Sequence, residues 1–227
     1  MTGEVTVEFS LSLKETMRST PTSCLIDQLR DALRRPLPGP AAQVLMSPDP
    51  RPGAERILDP DPDCRHAGVL ALLYPSGGDL CLVLTLRTES VESHRGQISF
   101  PGGAMDPGEI PEETALREAH EELGINPAGL DVLGELSPLY IPHSGFYVHP
   151  VVAYAADRPA FVPNPEEVAE VIEAPVSLLL APDTCCEEVW RLRGAPARVP
   201  FYAIGPHKVW GATAMMLSEL MTLLKEQ

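Results

Sequence analysis

Residues 103–125 read GAMDPGEIPEETALREAHEELGI. Phe100-Pro101-Gly102-Gly103 makes a tight entry into a loop. Pro111 then stands at the first position of a helix, where its missing N–H costs nothing. Gly124 follows the last helical turn, where glycine ends helices readily. On that helix Ala115, Leu116, Ala119 and Leu123 form an apolar stripe that faces a core. Glu118 lies beside Glu121 and Glu122, three and four residues on, so three carboxylates share the other side. Two unit charges ~5.5 Å apart repel by roughly 3 kcal/mol at an effective dielectric of ~20. A cation among them relieves that repulsion, and an all-oxygen set suits a hard divalent ion such as Mg²⁺ or Mn²⁺.

Moving upstream, Ala67–Tyr74 and Leu80–Arg87 are apolar runs containing β-branched residues. Ser76-Gly77-Gly78-Asp79 separates them, which predicts a hairpin. Downstream, Leu130–Tyr140 and Tyr147–Tyr154 read as strands, with shorter candidates at Glu188–Leu192 and Arg198–Ile204. Gly211–Lys225 reads as a closing helix with Ala214, Leu217, Leu220, Met221 and Leu224 on one face. Strands and helices are intermixed, so the expected class is α/β, an α/β/α sandwich with a mixed sheet. Residues 1–65 read as an N-terminal helix and a proline-rich linker packed on a domain of residues 66–227. Within them Leu25, Leu29, Ala32 and Leu33 keep helical spacing and Pro36 stops the run. Arg35–Pro62 is the linker. Trp210 is expected in the core, because buried aromatics usually pack.

The chain has 227 residues and a formal charge of −15. That charge excludes a surface that coats nucleic acid, which needs clustered Lys and Arg. It also repels anionic substrates at long range, so a phosphate-handling site requires local cations. No apolar run approaches the ~20 residues that span a bilayer, and no basic segment opens the chain as in a secretory signal. The five cysteines lack a CxxC pair, which argues against structural zinc and for reduced thiols in the cytoplasm. The expected protein is cytoplasmic, monomeric or homodimeric, and free of nucleic-acid and membrane partners.

The spacing Gly103, Glu109, Arg117-Glu118, Glu121-Glu122, Gly124-Ile125 resembles the box of the Nudix hydrolases, G-x5-E-x7-R-E-U-x-E-E-x-G-U, where U is apolar. Seven fixed residues at a typical ~7% frequency coincide by chance at roughly 10⁻⁸ per starting position. The resemblance implies a Nudix fold and a metal-dependent hydrolase of phosphoanhydrides. It implies Glu118, Glu121, Glu122 and the backbone carbonyl of Gly103 as ligands of Mg²⁺ or Mn²⁺. It gives Arg117 the task of orienting the glutamates, for which its rigid donor fork is suited. At i±4 Arg117 reaches Glu113 or Glu121, and Glu109 closes the loop onto the helix. His120 falls at an unconstrained position and reads as structural or solvent-facing. The general base is Glu118, Glu122 or the later Glu167, whose Asn164-Pro165-Glu166-Glu167-Val168 loop is equally a helix start.

The likeness continues outside the box. Leu84-Thr85-Leu86-Arg87 and His94-Arg95-Gly96-Gln97-Ile98-Ser99-Phe100-Pro101-Gly102-Gly103 resemble the segment that marks the coenzyme A diphosphatase branch. Ser144–Pro150, Asn164–Val168 and Val209–Ala214 extend it, over residues 66–224. Two positions depart: Thr88 stands for Ser or Ala, and Glu92 for Arg. The implied substrate contacts are Arg87, His94, Arg95, Gln97 and Phe100. The implied reaction converts coenzyme A to 4′-phosphopantetheine and adenosine 3′,5′-bisphosphate. Glu92 keeps ADP-ribose, NADH or another nucleoside diphosphate derivative as the alternative small-molecule partner. A non-catalytic nucleotide sensor is the reading of another class, and the undamaged box speaks against it.

Overall fold

The computed structural model describes residues 22–51, 63–88 and 97–225. The expected hairpin forms its frame. Strand β1 (Arg65–Ser76) and β2 (Asp79–Arg87) pair antiparallel across Gly77 and Gly78, both at positive φ (60° and 82°) as such a tight turn demands. Nearly every residue of β1 between Ala67 and Tyr74 is buried. Leu70, Leu72 and Tyr74 join one apolar cluster, while Ala71 and Leu73 join another. A strand covered on both faces reads as a continuous apolar run, and this one does.

Around this hairpin an eight-stranded mixed sheet is built. The other members are β3 (Ile98–Ser99), β4 (Gly102–Ala104), β5 (Leu130–Glu135), β6 (Leu139–Ile141), β7 (Phe146–Ala155) and β8 (Val168–Pro175). β7 runs parallel to β1 along one whole edge. On the opposite edge β1 pairs with β2 only from Leu73 to Ser76, and with β4 from Ala67 to Val69. β2 likewise leaves β1 and takes β3 at Thr85 and Leu86. The two central strands therefore fork, and the β3–β4 segment is spliced into the fork. The N–H of Leu70 donates to Pro101 O at 2.8 Å and fixes the splice.

Helix α3 (Pro111–Leu123) covers one face of the sheet, burying Ala115, Ala119 and Leu123. The other face carries α1 (Thr22–Leu33) and α5 (Gly211–Lys225). A three-stranded antiparallel sheet of β9 (Cys185–Leu192), β10 (Ala195–Ile204) and β11 (His207–Trp210) adds Tyr202, Ile204 and Val209 to that core. The α/β/α sandwich expected from the sequence is what forms. Short helices α2 (Pro40–Gln43) and α4 (Val176–Leu179) complete the elements used here.

Three expectations need correction. The run Leu130–Tyr140 is two strands, because Gly134 opens an irregularity against β7 and Ser137-Pro138 separates β5 from β6. β8 and β11 were not among the expected strands. Residues 36–51 are more than a linker: Ala42, Gln43 and Met46 are buried, and Ser218 donates to Ala42 O. The anchor is Glu219 of α5, itself fully buried. Its Oε1 accepts from the N–H of Gly39 (3.0 Å) and of Ser137 (3.2 Å), and its Oε2 from Gln43 Nε2 (2.9 Å). α1 packs through Leu25, Ile26, Leu29 and Ala32. Residues 52–62 of the expected linker lie outside the described residues.

Candidate active site

Helix α3 starts and stops as its sequence dictates. Glu113 accepts from the N–H of Ile110 (3.1 Å), and Gly124 adopts the left-handed conformation (φ 67°) past the last turn. Its carboxylates meet different surroundings. The carboxylate of Glu118 lies so close to Gly103 that a Cβ there would sit 2.4 Å from it, so any larger residue would push the carboxylate from its place. Glu122 is 1% exposed, and its Oε1 accepts from Arg87 Nη1 at 2.9 Å. Its Oε2 is buried without a hydrogen-bond partner. Glu121 is exposed.

Arg117 organises this ground. Its Nε and Nη2 donate to the two oxygens of Glu109 (2.7 and 3.1 Å), Nη1 to Glu118 (2.8 Å), and Nη2 also to Ala104 O (3.2 Å). The contact to Glu121 is long at 3.4 Å. Glu113 is not a partner, because it serves the helix start. Hydrogen bonds from Arg117, the Asp106 N–H and Thr114 hold Glu109 far below the usual carboxylate range, at about 2. Burial does the reverse at Glu118, which is raised despite Arg117. Burial pushes Glu122 up to about 7 against the pull of Arg87, and the charges of Glu167 and Glu118 add to the rise.

Glu167 arrives from the loop before β8. Asn164 sets that loop: its N–H donates to Glu122 O, and its side chain donates to Glu167 Oε1 at 3.2 Å. The N–H of Thr88 donates to Glu167 O, tying the loop to the end of β2. Glu118, Glu122 and Glu167 thus share one region and feel one another's charge.

Beside these carboxylates the fork opens into a cleft of about 550 Å³. Arg87, Gln97, Phe100 and Gly103 line it on one side. Trp210 lines it on another, half-buried and edge-on to Trp190, so it is a wall of the cleft and not the core residue expected. His94 and Arg95, also expected as substrate contacts, lie outside the described residues.

A family model for the NUDIX domain matches residues 65–185. The chain belongs to the Nudix family. This Nudix hydrolase is 38% identical over 157 residues to the Nudix hydrolase NudL of Photorhabdus laumondii, covering 69% of this chain and 83% of that one. It is 38% identical over 164 residues to the human mitochondrial coenzyme A diphosphatase NUDT8, covering 70% of this chain and 69% of that one. The MutT protein of Methanosarcina mazei, a solved structure, is 17% identical with a TM-score of 0.46, covering 72% of this chain and 96% of that one.

Nudix hydrolases use divalent metal ions. Two features of this site fit one. The orphaned, buried Glu122 Oε2 is an oxygen in need of a partner, and the glycine-lined gap holds Glu118 against Gly103. Among the described residues no three His, Cys, Asp or Glu side chains converge in ligating positions, since arginines engage Glu118 and Glu122. His120 matches its expected bland role, with Nδ1 bonded to Ile125 O at 2.9 Å. The residues that sequence reasoning missed are Arg51, Arg65, Arg191 and Arg193, which line the cleft and belong to no local motif.

Proposed function

We propose that this Nudix hydrolase splits the diphosphate of coenzyme A, with Mg²⁺ or Mn²⁺, into 4′-phosphopantetheine and adenosine 3′,5′-bisphosphate. Hydrolysis of nucleoside diphosphate derivatives is the family-level activity. The observation that carries the finer reading is convergence. Arg87, Gln97 and Phe100, from the segment similar to the coenzyme A branch, line the same cleft as Gly103 of the box. The name of the human relative supports the same substrate.

Glu118, Glu121, Glu122 and the carbonyl of Gly103 would hold the metal. A bound divalent cation makes water a stronger nucleophile and offsets charge on the phosphoryl oxygens. Arg117 positions Glu118 while anchored on Glu109. Arg87 holds Glu122 and faces the cleft, so it links the carboxylates to the substrate. The base follows by comparing partners. Arg117 engages Glu118 and Arg87 engages Glu122, whereas Glu167 accepts only from the Asn164 amide among the described residues. No guanidinium engages the Glu167 carboxylate among the described residues, so it is the one of the three left to turn toward the attacking water, and it is the base of this reading. Glu167→Gln should lower kcat by about 10²–10⁴ and leave metal affinity unchanged by titration. The free thiols of all five cysteines accord with the cytoplasm as the compartment.

Purified protein incubated with coenzyme A and Mg²⁺ or Mn²⁺ should release both products, resolved by chromatography. No release, alongside cleavage of ADP-ribose or NADH, would assign the enzyme to those substrates instead.

A further inference from the structure

The chain carries 32 acidic and 17 basic residues, yet the cleft departs sharply from that balance. Arg51, Arg65, Arg87, Arg191 and Arg193 line it, and no Asp or Glu does among the described residues. Elsewhere the described cations are largely spent on ion pairs: Arg30, Arg117, Arg158, Arg198 and Lys208 each hold a carboxylate. Arg87 holds Glu122. The other four cleft arginines hold none among the described residues. Arg51 donates to Tyr140 O at 3.2 Å. Arg65 donates to Ser144 O at 3.2 Å and lies over the Phe146 ring, 4.1 Å from its centroid. Arg191 donates to Gly194 O at 3.0 Å. Carbonyl and ring contacts orient a guanidinium without neutralising it.

The hairpin joining β9 and β10 adds a second, independent sign. Its turn is Arg193-Gly194, with φ of 52° and 83°, the arrangement of a type I′ turn. Asn, Asp or Gly ordinarily fills the first of those positions, because a side chain with a Cβ is disfavoured there. Arg193 is the one non-glycine residue with positive φ among the described residues. The backbone therefore holds a strained residue at the tip of a hairpin that reaches the cleft, and strain of this kind collects at functional positions.

We propose that Arg191 and Arg193, which line the cleft together with Arg51 and Arg65, form a subsite for a phosphomonoester separate from the diphosphate that is cleaved. The enzyme then selects nucleotides that carry a phosphate on the ribose as well as on the 5′ side. This deepens the coenzyme A reading and rests on it for the identity of the substrate, since coenzyme A bears such a 3′-phosphate. Guanidinium forks match phosphate oxygens in pairs. With no carboxylate in the lining among the described residues, nothing there competes for the forks.

Calorimetric titration compares adenosine 3′,5′-bisphosphate with AMP. The parent protein should prefer the bisphosphate by about tenfold or more, as charge-assisted pairs imply. Arg191→Gln combined with Arg193→Gly should bring that ratio close to one. Arg193→Gly alone should keep or raise Tm, because glycine accepts this backbone without strain, so lost selectivity cannot be blamed on unfolding. An unchanged ratio in the double variant overturns the subsite. If the parent cleaves coenzyme A but binds both nucleotides equally, the subsite fails and the substrate assignment stands. If the parent shows the preference without cleaving coenzyme A, the substrate assignment fails and the subsite stands.

Discussion

Replacing Glu219 by leucine tests how residues 36–51 are held. The carboxylate accepts three hydrogen bonds at full burial, from Gly39, Ser137 and Gln43. Leucine fills similar space and accepts none. Each stranded buried donor costs about 1–3 kcal/mol, a gross loss of roughly 3–9 kcal/mol. Removing a buried charge returns part of that, leaving a net loss of about 3–6 kcal/mol. In a chain of this size one kcal/mol moves Tm by about 2–4 °C, so Tm should fall by on the order of 10 °C. Glu219→Gln is the control. Its carbonyl replaces Oε1 and keeps the Gly39 and Ser137 bonds. Its NH₂ faces the Gln43 amide, and that one bond is lost, at about 1–3 kcal/mol. Thermal and urea melts by circular dichroism should rank parent above Gln above Leu. A Leu variant within about 1 kcal/mol of the parent, or above Gln, would show that charge desolvation dominates and refute the reasoning.

Three further outcomes follow from the site and the sheet. Gly103→Ala should cut kcat by at least about 10²-fold, the scale of a misplaced catalytic group, because its Cβ would sit 2.4 Å from the Glu118 carboxylate; near-parental Tm shows that the fold survives. Arg87→Met removes the hydrogen-bond partner of the buried Glu122 carboxylate and should destabilise the metal-free protein by about 3 kcal/mol, with added Mg²⁺ recovering part of the lost Tm. Glu173 is held below the usual carboxylate range, chiefly by Arg158 and with help from the Tyr74 hydroxyl. A lowered folded pKa stabilises the protein above the unfolded value of about 4.3 and is lost as pH falls through the folded value. Acid melts of the parent should show that extra loss, and Glu173→Gln should lack it.

The elements legible in the sequence were those with both periodicity and punctuation. α3 had Pro111, Gly124 and an apolar stripe, and the hairpin had paired glycines between apolar runs. β8 had neither, because Glu170 and Glu173 interrupt a short run and its signal comes only from pairing with β2. α5 was read as one-faced, but Ser218 and Glu219 are also buried. Helix α1, the 36–51 segment and the second sheet enclose it, and such burial is decided by distant chain. Within the site, the box puts Arg117, Glu118 and Glu122 on one helix, where Arg117 bonds Glu118. It could not foresee that Arg117 would take Glu109, eight residues away, as its main partner. The cleft arginines come from residues 51, 65, 191 and 193, so no local spacing marks them.

The stretch that matches the family ends at residue 185, and the hairpin carrying Arg191 and Arg193 begins where it stops. If the proposed subsite holds, part of the choice of substrate lies outside the stretch that carries the reaction. A lineage could exchange the hairpin tip, or a designer could regraft it, and inherit new preferences without touching a residue that performs the cleavage.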